Sequence, residues 1–320
     1  MRSITLKEAA ELLLTFDNIA VLMHKSPDGD TIGCGYALCA ALRKLGKKAQ
    51  PYCSDPIPKI YSYLTDRFED QQFEAKNVVS VDVAAEQLFG DGLAELAGRV
   101  ELCIDHHGSN TGFAECGIVD PSSGACAQVV LKIIELMGAG VDEFIADAVF
   151  TGISTDTGCF RYGNAKADSF RMAADMIDKG AQSALINRLM FETKTRERLE
   201  LEKLALNSMR FYCGNTVAAI SVTKEMLRAS GAGDDDIDGI ASVPRQIVGV
   251  KAGITIREKD NGVYRISLRT TDDVDASAIC ALFGGGGHRA AAGCSIEGTA
   301  EEVERMIVGA AEKMIRAQGR

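Results

Sequence analysis

The chain has no apolar run of about 18 residues, so no membrane-spanning helix is expected. Its opening residues do not read as a secretory signal, because Arg2 is soon followed by Lys7, Glu8 and Glu11. No C-x-x-C pair occurs among the ten cysteines, and Cys39, Cys103, Cys126 and Cys280 lie inside apolar runs. That distribution predicts reduced, buried thiols in a cytoplasmic protein and argues against a zinc–thiolate site. Positive charge is also short. Lys and Arg number 35 against 45 Asp and Glu, a formal net charge of -10. A protein that coats long DNA or RNA gains affinity by neutralising many phosphates, and an acidic chain is poorly suited to that. An anionic ligand would be short and held locally, by metal ions or a small basic pocket. Histidine is the last scarcity. There are four, and two are adjacent in Asp105-His106-His107, at the end of an apolar run.

What is present suggests two domains, since 320 residues are enough for two cores. Helical spacing of Leu6, Ala9, Ala10 and Leu13 predicts a first helix over 4–15. Buried strands are expected at 18–23, 48–53, 78–81, 100–104 and 116–119. Helices are expected between and after them: 32–45 with Thr31 as N-cap, 85–96, a long one capped by Ser122 or Ser123 and ending at Met137, then 144–153 and 167–179. Strand–helix alternation of this kind predicts an α/β domain with a parallel sheet and flanking helices. The charged stretch 192–210 reads as a helical connector. Beyond it, strands at 216–221, 248–256 and 264–268, an Asn261-Gly262 hairpin turn and a last helix over 301–314 suggest a smaller α+β domain. Asp234, Asp235, Asp236 and Asp238 lack the spacing of a calcium loop and read as a solvated helix start.

Ligands of parallel sheets bind beyond the carboxyl ends of the strands. His24, Asp28, Asp30, Asp82, His106 and Asp156 fall in such places or in the loops nearby. One Asp after a strand is as readily a helix cap, but together these six offer carboxylates and imidazoles without a thiolate. That set suits Mn²⁺, and in part Mg²⁺, Fe²⁺ or Co²⁺. It is too large for one catalytic ion that keeps open positions, and fits two ions about 3.5–4 Å apart sharing a carboxylate. In the second domain, Gly284-Gly285-Gly286-Gly287-His288-Arg289 sits between Ile279–Phe283 and a small-residue stretch expected to be helical. It reads as a glycine nest for a phosphate, with Arg269 as a second clamp.

These residues resemble the DHH phosphoesterase superfamily. The resemblance is carried by His24-Lys25-Ser26-Pro27-Asp28-Gly29-Asp30, Asp82 after Val79-Ser80-Val81, Asp105-His106-His107 and Thr155-Asp156-Thr157-Gly158. The carboxy-terminal part resembles a DHHA1 domain. The resemblance implies a DHH domain at 1–190, a helical connector at 191–212 and a DHHA1 domain at 213–320. Asp120-Pro121-Ser122-Ser123 and the segment from Thr151 to Tyr162 are similar to the nanoRNase/pAp phosphatase group. That likeness implies two Mn²⁺ ions, with Mg²⁺ or Co²⁺ as substitutes. One would be held by His24, Asp28 and Asp82, the other by Asp30, Asp82, His106 and Asp156. Asp105 would support and His107 would contact the scissile phosphate. Arg269, Gly285, Gly286, Gly287, His288 and Arg289 would bind the substrate. Implied substrates are short RNA oligonucleotides, linear dinucleotides and pAp; a cyclic-dinucleotide phosphodiesterase is the near alternative, with a RecJ-type exonuclease or an inorganic pyrophosphatase further off. A homodimer is consistent with the resemblance. Cys34, where Ser is common, and Gly163 and Ala165 around Asn164 depart from the pattern and bear on substrate preference.

Overall fold

A computed structural model describes residues 1–318 except 234 and 238. The chain divides into two compact units, Met1–Thr193 and Lys194–Arg320. Among the described residues no helix is long and apolar enough to cross a membrane.

The first unit runs β1 (Arg2–Ser3), α1 (Leu6–Thr15), β2 (Ile19–Leu22), α2 (Gly29–Lys44), β3 (Ala49–Tyr52), α3 (Ser62–Thr65), β4 (Asn77–Val81), α4 (Ala94–Ala97), β5 (Leu102–Asp105) and β6 (Cys116–Val119). It ends with α5 (Cys126–Met137), α6 (Glu143–Asp156), α7 (Ala167–Asp178) and α8 (Ser183–Asn187). The six strands form one parallel sheet in the order β1-β6-β5-β4-β2-β3. Its strands are apolar throughout because both faces are covered. Ile19 and Val21 enter the core beside α1, α2, α5 and α6, while Ala20 and Leu22 enter a second core with Val78, Phe89 and Cys103. Helix α2 needs its small residues. A Cβ on Gly33 would stand 2.3 Å from the Ala148 carbonyl oxygen of α6, so the two backbones are nearly in contact.

Several sequence expectations need correction here. Helix α2 starts at Gly29, and its N-cap is Asp28, whose Oδ1 accepts from Asp30 N (3.0 Å) and Thr31 N (3.1 Å). Thr31, the expected cap, instead donates its hydroxyl to the Val81 carbonyl. The helix expected at 85–96 is broken into short turns, because Gly90 adopts φ 76° and only α4 remains helical. Ser122 and Ser123 do not cap α5; their hydroxyls donate to Asp120.

The second unit contains α9 (Arg196–Asn207), β7 (Arg210–Tyr212), β8 (Val217–Val222), α10 (Lys224–Ser230), β9 (Ala252–Glu258), β10 (Val263–Thr270), α11 (Ala276–Ala281), β11 (Gly286–His288), β12 (Ala291–Glu297) and α12 (Ala300–Gln318). The sheet order is β11-β12-β10-β9-β8-β7, with only the β8–β9 pair parallel. The charged helix α9 buries Leu201 and Ala205 against Ile220 and Val222 of β8. The Ala-rich stretch after Arg289 is strand β12, not a helix. Ala292, Cys294 and Ile296 are buried while Ser295 and Glu297 are exposed, a period of two. Strand β9 begins later than expected, and Val248 before it is 98% exposed. Asp234 and Asp238 lie outside the described residues, and 235–237 form a single 3₁₀ turn.

Candidate metal centre

Loop and helix starts at the carboxyl ends of β2, β4 and β5, with the end of α6, bring six side chains together. His24 Nε2 lies 3.5 Å from Asp28 Oδ1 and 3.8 Å from Asp82 Oδ2. His106 Nε2 lies 3.6 Å from Asp82 Oδ1, 3.7 Å from Asp156 Oδ2 and 3.9 Å from Asp30 Oδ2. Two donor groups emerge, His24–Asp28–Asp82 and Asp30–His106–Asp156, each with ligand atoms within 4.8 Å of one another. Asp82 also groups with His106 and His107.

Backbone carbonyls settle how the two imidazoles face. His24 Nδ1 is 2.8 Å from Lys25 O, and His106 Nδ1 is 3.3 Å from Ser123 O. Each Nδ1 must therefore donate, so that in the neutral ring the Nε2 lone pair faces the carboxylates, the orientation a metal ligand requires.

Asp82 is the centre of the arrangement. It sits in a left-handed turn, φ 58°, at the end of β4, and is 2% exposed. Its Oδ1 is buried without a hydrogen-bond partner. Burial, reinforced by the charges of Asp30 and Asp28, pushes its carboxyl well above the usual range. Asp30 is pushed up by burial too, although its two oxygens accept from Cys126 N (2.6 Å) and Ala127 N (3.0 Å). Asp30 thus caps α5 from the first turn of α2, with its carboxylate at the positive end of α5. Asp156 ends α6, at the negative pole, and burial with the charges of Asp30 and Asp28 raises it to about 8. So many clustered carboxylates are costly without a cation. A carboxylate that faces His24 with Oδ2 and His106 with an orphaned Oδ1 fits divalent ions.

Asp105 plays a different part. It is fully buried, and its Oδ1 accepts from His106 N (2.7 Å), His107 N (3.2 Å) and His107 Nδ1 (2.8 Å), while Oδ2 accepts from Asn110 Nδ2 (2.6 Å). Burial would raise its carboxyl, but the bonds from His107 and Asn110 outweigh that and hold it low. The Asp105 bond in turn raises the His107 imidazole. His107 remains about one third exposed.

Two supporting residues carried no signal in the sequence. Asn110 steadies Asp105, and Asn164 Nδ2 donates to the Asp156 carbonyl (3.1 Å) and to Asp156 Oδ2 (3.3 Å). A lone Asn in a loop has no spacing that marks it. Cys34 lies with its Sγ 3.5 Å from Asp30 Oδ1.

The remaining candidate residues lie in the second unit. Gly284 (φ 70°) and Gly287 (φ 144°) need glycine for their backbone, and a Cβ on Gly285 would stand 2.2 Å from Gly293 O. Gly286 is different: its conformation is ordinary and nothing lies within 4 Å of where a Cβ would be. His288 pairs with Ala291 of β12, which is opposite Arg269 of β10. Arg269 bonds its own chain at Leu268 O. Arg289 is tied to the Asp272 carbonyl and lies 3.8 Å from the Asp275 carboxylate. A cavity of about 580 Å³ opens beside the glycines, lined by Arg265, Phe283, Gly293 and Ser295 among others.

Comparison with known proteins follows the same division. Residues 18–153 match the DHH family, N-terminal domain, and residues 214–316 match the DHHA1 domain. A bifunctional oligoribonuclease and PAP phosphatase NrnA from Thermus thermophilus is 33% identical over 318 residues, covering 96% of this chain and 94% of the relative. Its namesake from Bacillus subtilis is 22% identical over 309 residues, covering 94% and 96%. The crystal structure of an exopolyphosphatase-related protein from Bacteroides fragilis superposes with a TM-score of 0.89 at 25% identity, over 98% of this chain and 97% of that one. RecJ of Thermus thermophilus, solved with Mn²⁺, shares the fold at a TM-score of 0.58 and 15% identity, over 98% of this chain and 55% of RecJ. With both domains matched in order and a relative at 33% identity spanning nearly its whole length, the chain belongs to the DHH family of phosphoesterases, as a metal-dependent hydrolase with a carboxy-terminal DHHA1 domain.

Proposed function

We propose that this hydrolase uses two metal ions, Mn²⁺ by preference with Mg²⁺ or Co²⁺ as substitutes, to cut short RNA oligonucleotides and linear dinucleotides to mononucleotides and to remove the 3′-phosphate of pAp. The observation that carries the reading is Asp82, which faces His24 with Oδ2 and His106 with its buried, unpartnered Oδ1. His24, Asp28 and Asp82 would hold one ion, and Asp30, Asp82, His106 and Asp156 the other. Bound there, the pair supplies Lewis acidity, which lowers the pKa of a water nucleophile and draws charge from the phosphoryl oxygens.

The chain's own residues position the substrate. Asp105 fixes the ring of His107 through Nδ1, leaving Nε2 to contact the scissile phosphate. The bond to Asp105 raises the His107 imidazole and so favours the charged form that such a contact uses. Arg269, His288 and the bare backbone from Gly285 to Gly287 grip the far phosphate, and Arg289 supports that segment through Asp275. Substrates named for two of the relatives, oligoribonucleotides and PAP, support this choice.

The test offers pApA, a five-nucleotide RNA, pAp, cyclic di-AMP, pyrophosphate and long single-stranded DNA separately with Mn²⁺. Mononucleotides from pApA and the RNA, and AMP from pAp, are expected. Turnover of pyrophosphate alone, or of cyclic di-AMP in preference to every linear substrate, overturns the reading.

A further inference from the structure

One face of the second unit's sheet carries an arrangement that extends along β10 beyond the grip at Arg269 and the glycines. Along β10, buried Ile266 and Leu268 alternate with Arg265, Ser267 and Arg269, so these three share the other face. Cross-strand register continues the rows. Arg265 is opposite Arg257 of β9 on one side and Ser295 of β12 on the other. Ser267 is opposite Gly293, which in turn is opposite Gly286 of β11. The middle row is therefore nearly bare backbone, flanked by an arginine row at each end.

Three features mark the Arg265 end as a ligand site. Arg265 stands directly opposite Arg257 of β9, so two guanidinium side chains share this row. The Arg265 side chain is exposed and makes no hydrogen bond or ion pair among the described residues. It also lines the cavity of about 580 Å³, with Phe283, Gly286, Gly293 and Ser295. The free guanidinium thus opens onto space that glycines keep empty. Four residues of strand separate Arg265 from Arg269, about 13 Å, which is roughly two nucleotide steps of an extended single strand.

We propose that this cavity is a second phosphate subsite, in which Arg265 and Ser295 hold a phosphodiester of the RNA chain about two nucleotides beyond the phosphate gripped at Arg269. Phe283, half-buried at its wall, offers apolar surface to a base. A substrate too short to reach the cavity gains nothing from it, so the subsite sets a preference for oligomers over dinucleotides. This rests on the reading of the chain as a nuclease for short RNA.

The test compares Arg265→Gln, Arg265→Lys and the unaltered protein on a five-nucleotide RNA and on pApA, with Mn²⁺, at several salt concentrations. For Arg265→Gln, the ratio of kcat/KM for the pentanucleotide to that for pApA is expected to fall roughly 10-fold, the size of one charge-assisted phosphate contact. Most of the change should lie in KM. The salt slope of log KM for the pentanucleotide should shrink by about 0.7, the value for one lost phosphate contact on a single strand. Arg265→Lys should restore much of both. An unchanged ratio and slope, or an equal loss on both substrates, overturns the subsite. In parallel, fluorescence anisotropy in EDTA follows binding of a labelled five-nucleotide RNA without turnover. If the unaltered protein cuts no RNA yet binds the pentanucleotide through Arg265, the nuclease reading fails and the subsite stands. If it cuts RNA and Arg265→Gln binds as tightly as the unaltered protein, the reverse holds.

Discussion

Replacing Asp82 by Asn keeps the side chain's shape and removes one charge from the most crowded point of the site. Two opposite effects follow. In metal-free protein the folded Asp82 carboxyl is held well above its usual range, by burial and then by Asp30 and Asp28. A raised carboxyl means the folded state binds the proton more tightly than the unfolded state. Stability is then complete below the unfolded pKa, about 4, and is lost as pH rises from there toward the folded value. Each unit of pH within that window costs about 1.4 kcal/mol for a single group. An unpaired buried ion costs several kcal/mol after relaxation, and proton uptake shared with Asp30 and Asp156 lowers that to about 2 kcal/mol at pH 8. For a domain of this size that corresponds to roughly 4–8 °C in Tm. Chelator-stripped Asp82→Asn should therefore melt several degrees above the chelator-stripped parent at pH 8, and the gap should close near pH 4. With Mn²⁺ the order should invert. Ligand at one hundred times its Kd stabilises the parent by about 2.7 kcal/mol, and Asp82→Asn should lose much of that gain together with its activity. Differential scanning fluorimetry with and without EDTA at pH 4.5, 6 and 8 measures all of this. If the variant melts lower than the parent without metal at pH 8, and Mn²⁺ raises both equally, the reasoning about Asp82 is wrong.

Other outcomes follow from neighbouring observations. Asn110→Ala removes the bond to Asp105 Oδ2 and frees the support of His107; kcat should fall roughly 10–100-fold while Mn²⁺ affinity, read by titration, changes little. Gly33→Ala drives a Cβ to 2.3 Å from the Ala148 carbonyl oxygen; urea unfolding should show a loss of about 2 kcal/mol or more. Dialysis against EDTA should abolish hydrolysis, and Mn²⁺ added back should restore it, with Mg²⁺ or Co²⁺ less effective in a steady-state assay.

The sequence made the site easier to see than the helices around it. Buried apolar runs that stop at His24, Asp82 and Asp105 are local signals, because a parallel strand covered on both faces must be apolar and its end is where polar groups can emerge. The six proposed ligands accordingly stand together. Long-range partners left no such mark. Asp30 caps α5 from almost a hundred residues away, and nothing near Cys126 announces that its N–H is satisfied by that carboxylate. The stretch 85–96 had helical composition, but a left-handed Gly90 divides it. Ala291 to Cys294 has small residues, two of them alanines of high helix propensity, yet becomes strand because β10 and β11 supply partners on both sides. The glycine run reads as a phosphate nest, but Gly284 answers to its positive φ and Gly285 and Gly287 to close approach to β12, which leaves Gly286 with neither a conformational nor a packing reason.

The account turns on two ions sharing Asp82, and isothermal titration of Mn²⁺ into chelator-stripped protein tests that most directly. Two ions per chain are predicted for the unaltered protein, and at most one, bound weakly, for Asp82→Ala. A single ion in the unaltered protein, or two retained by Asp82→Ala with unchanged affinity, contradicts the shared-carboxylate centre.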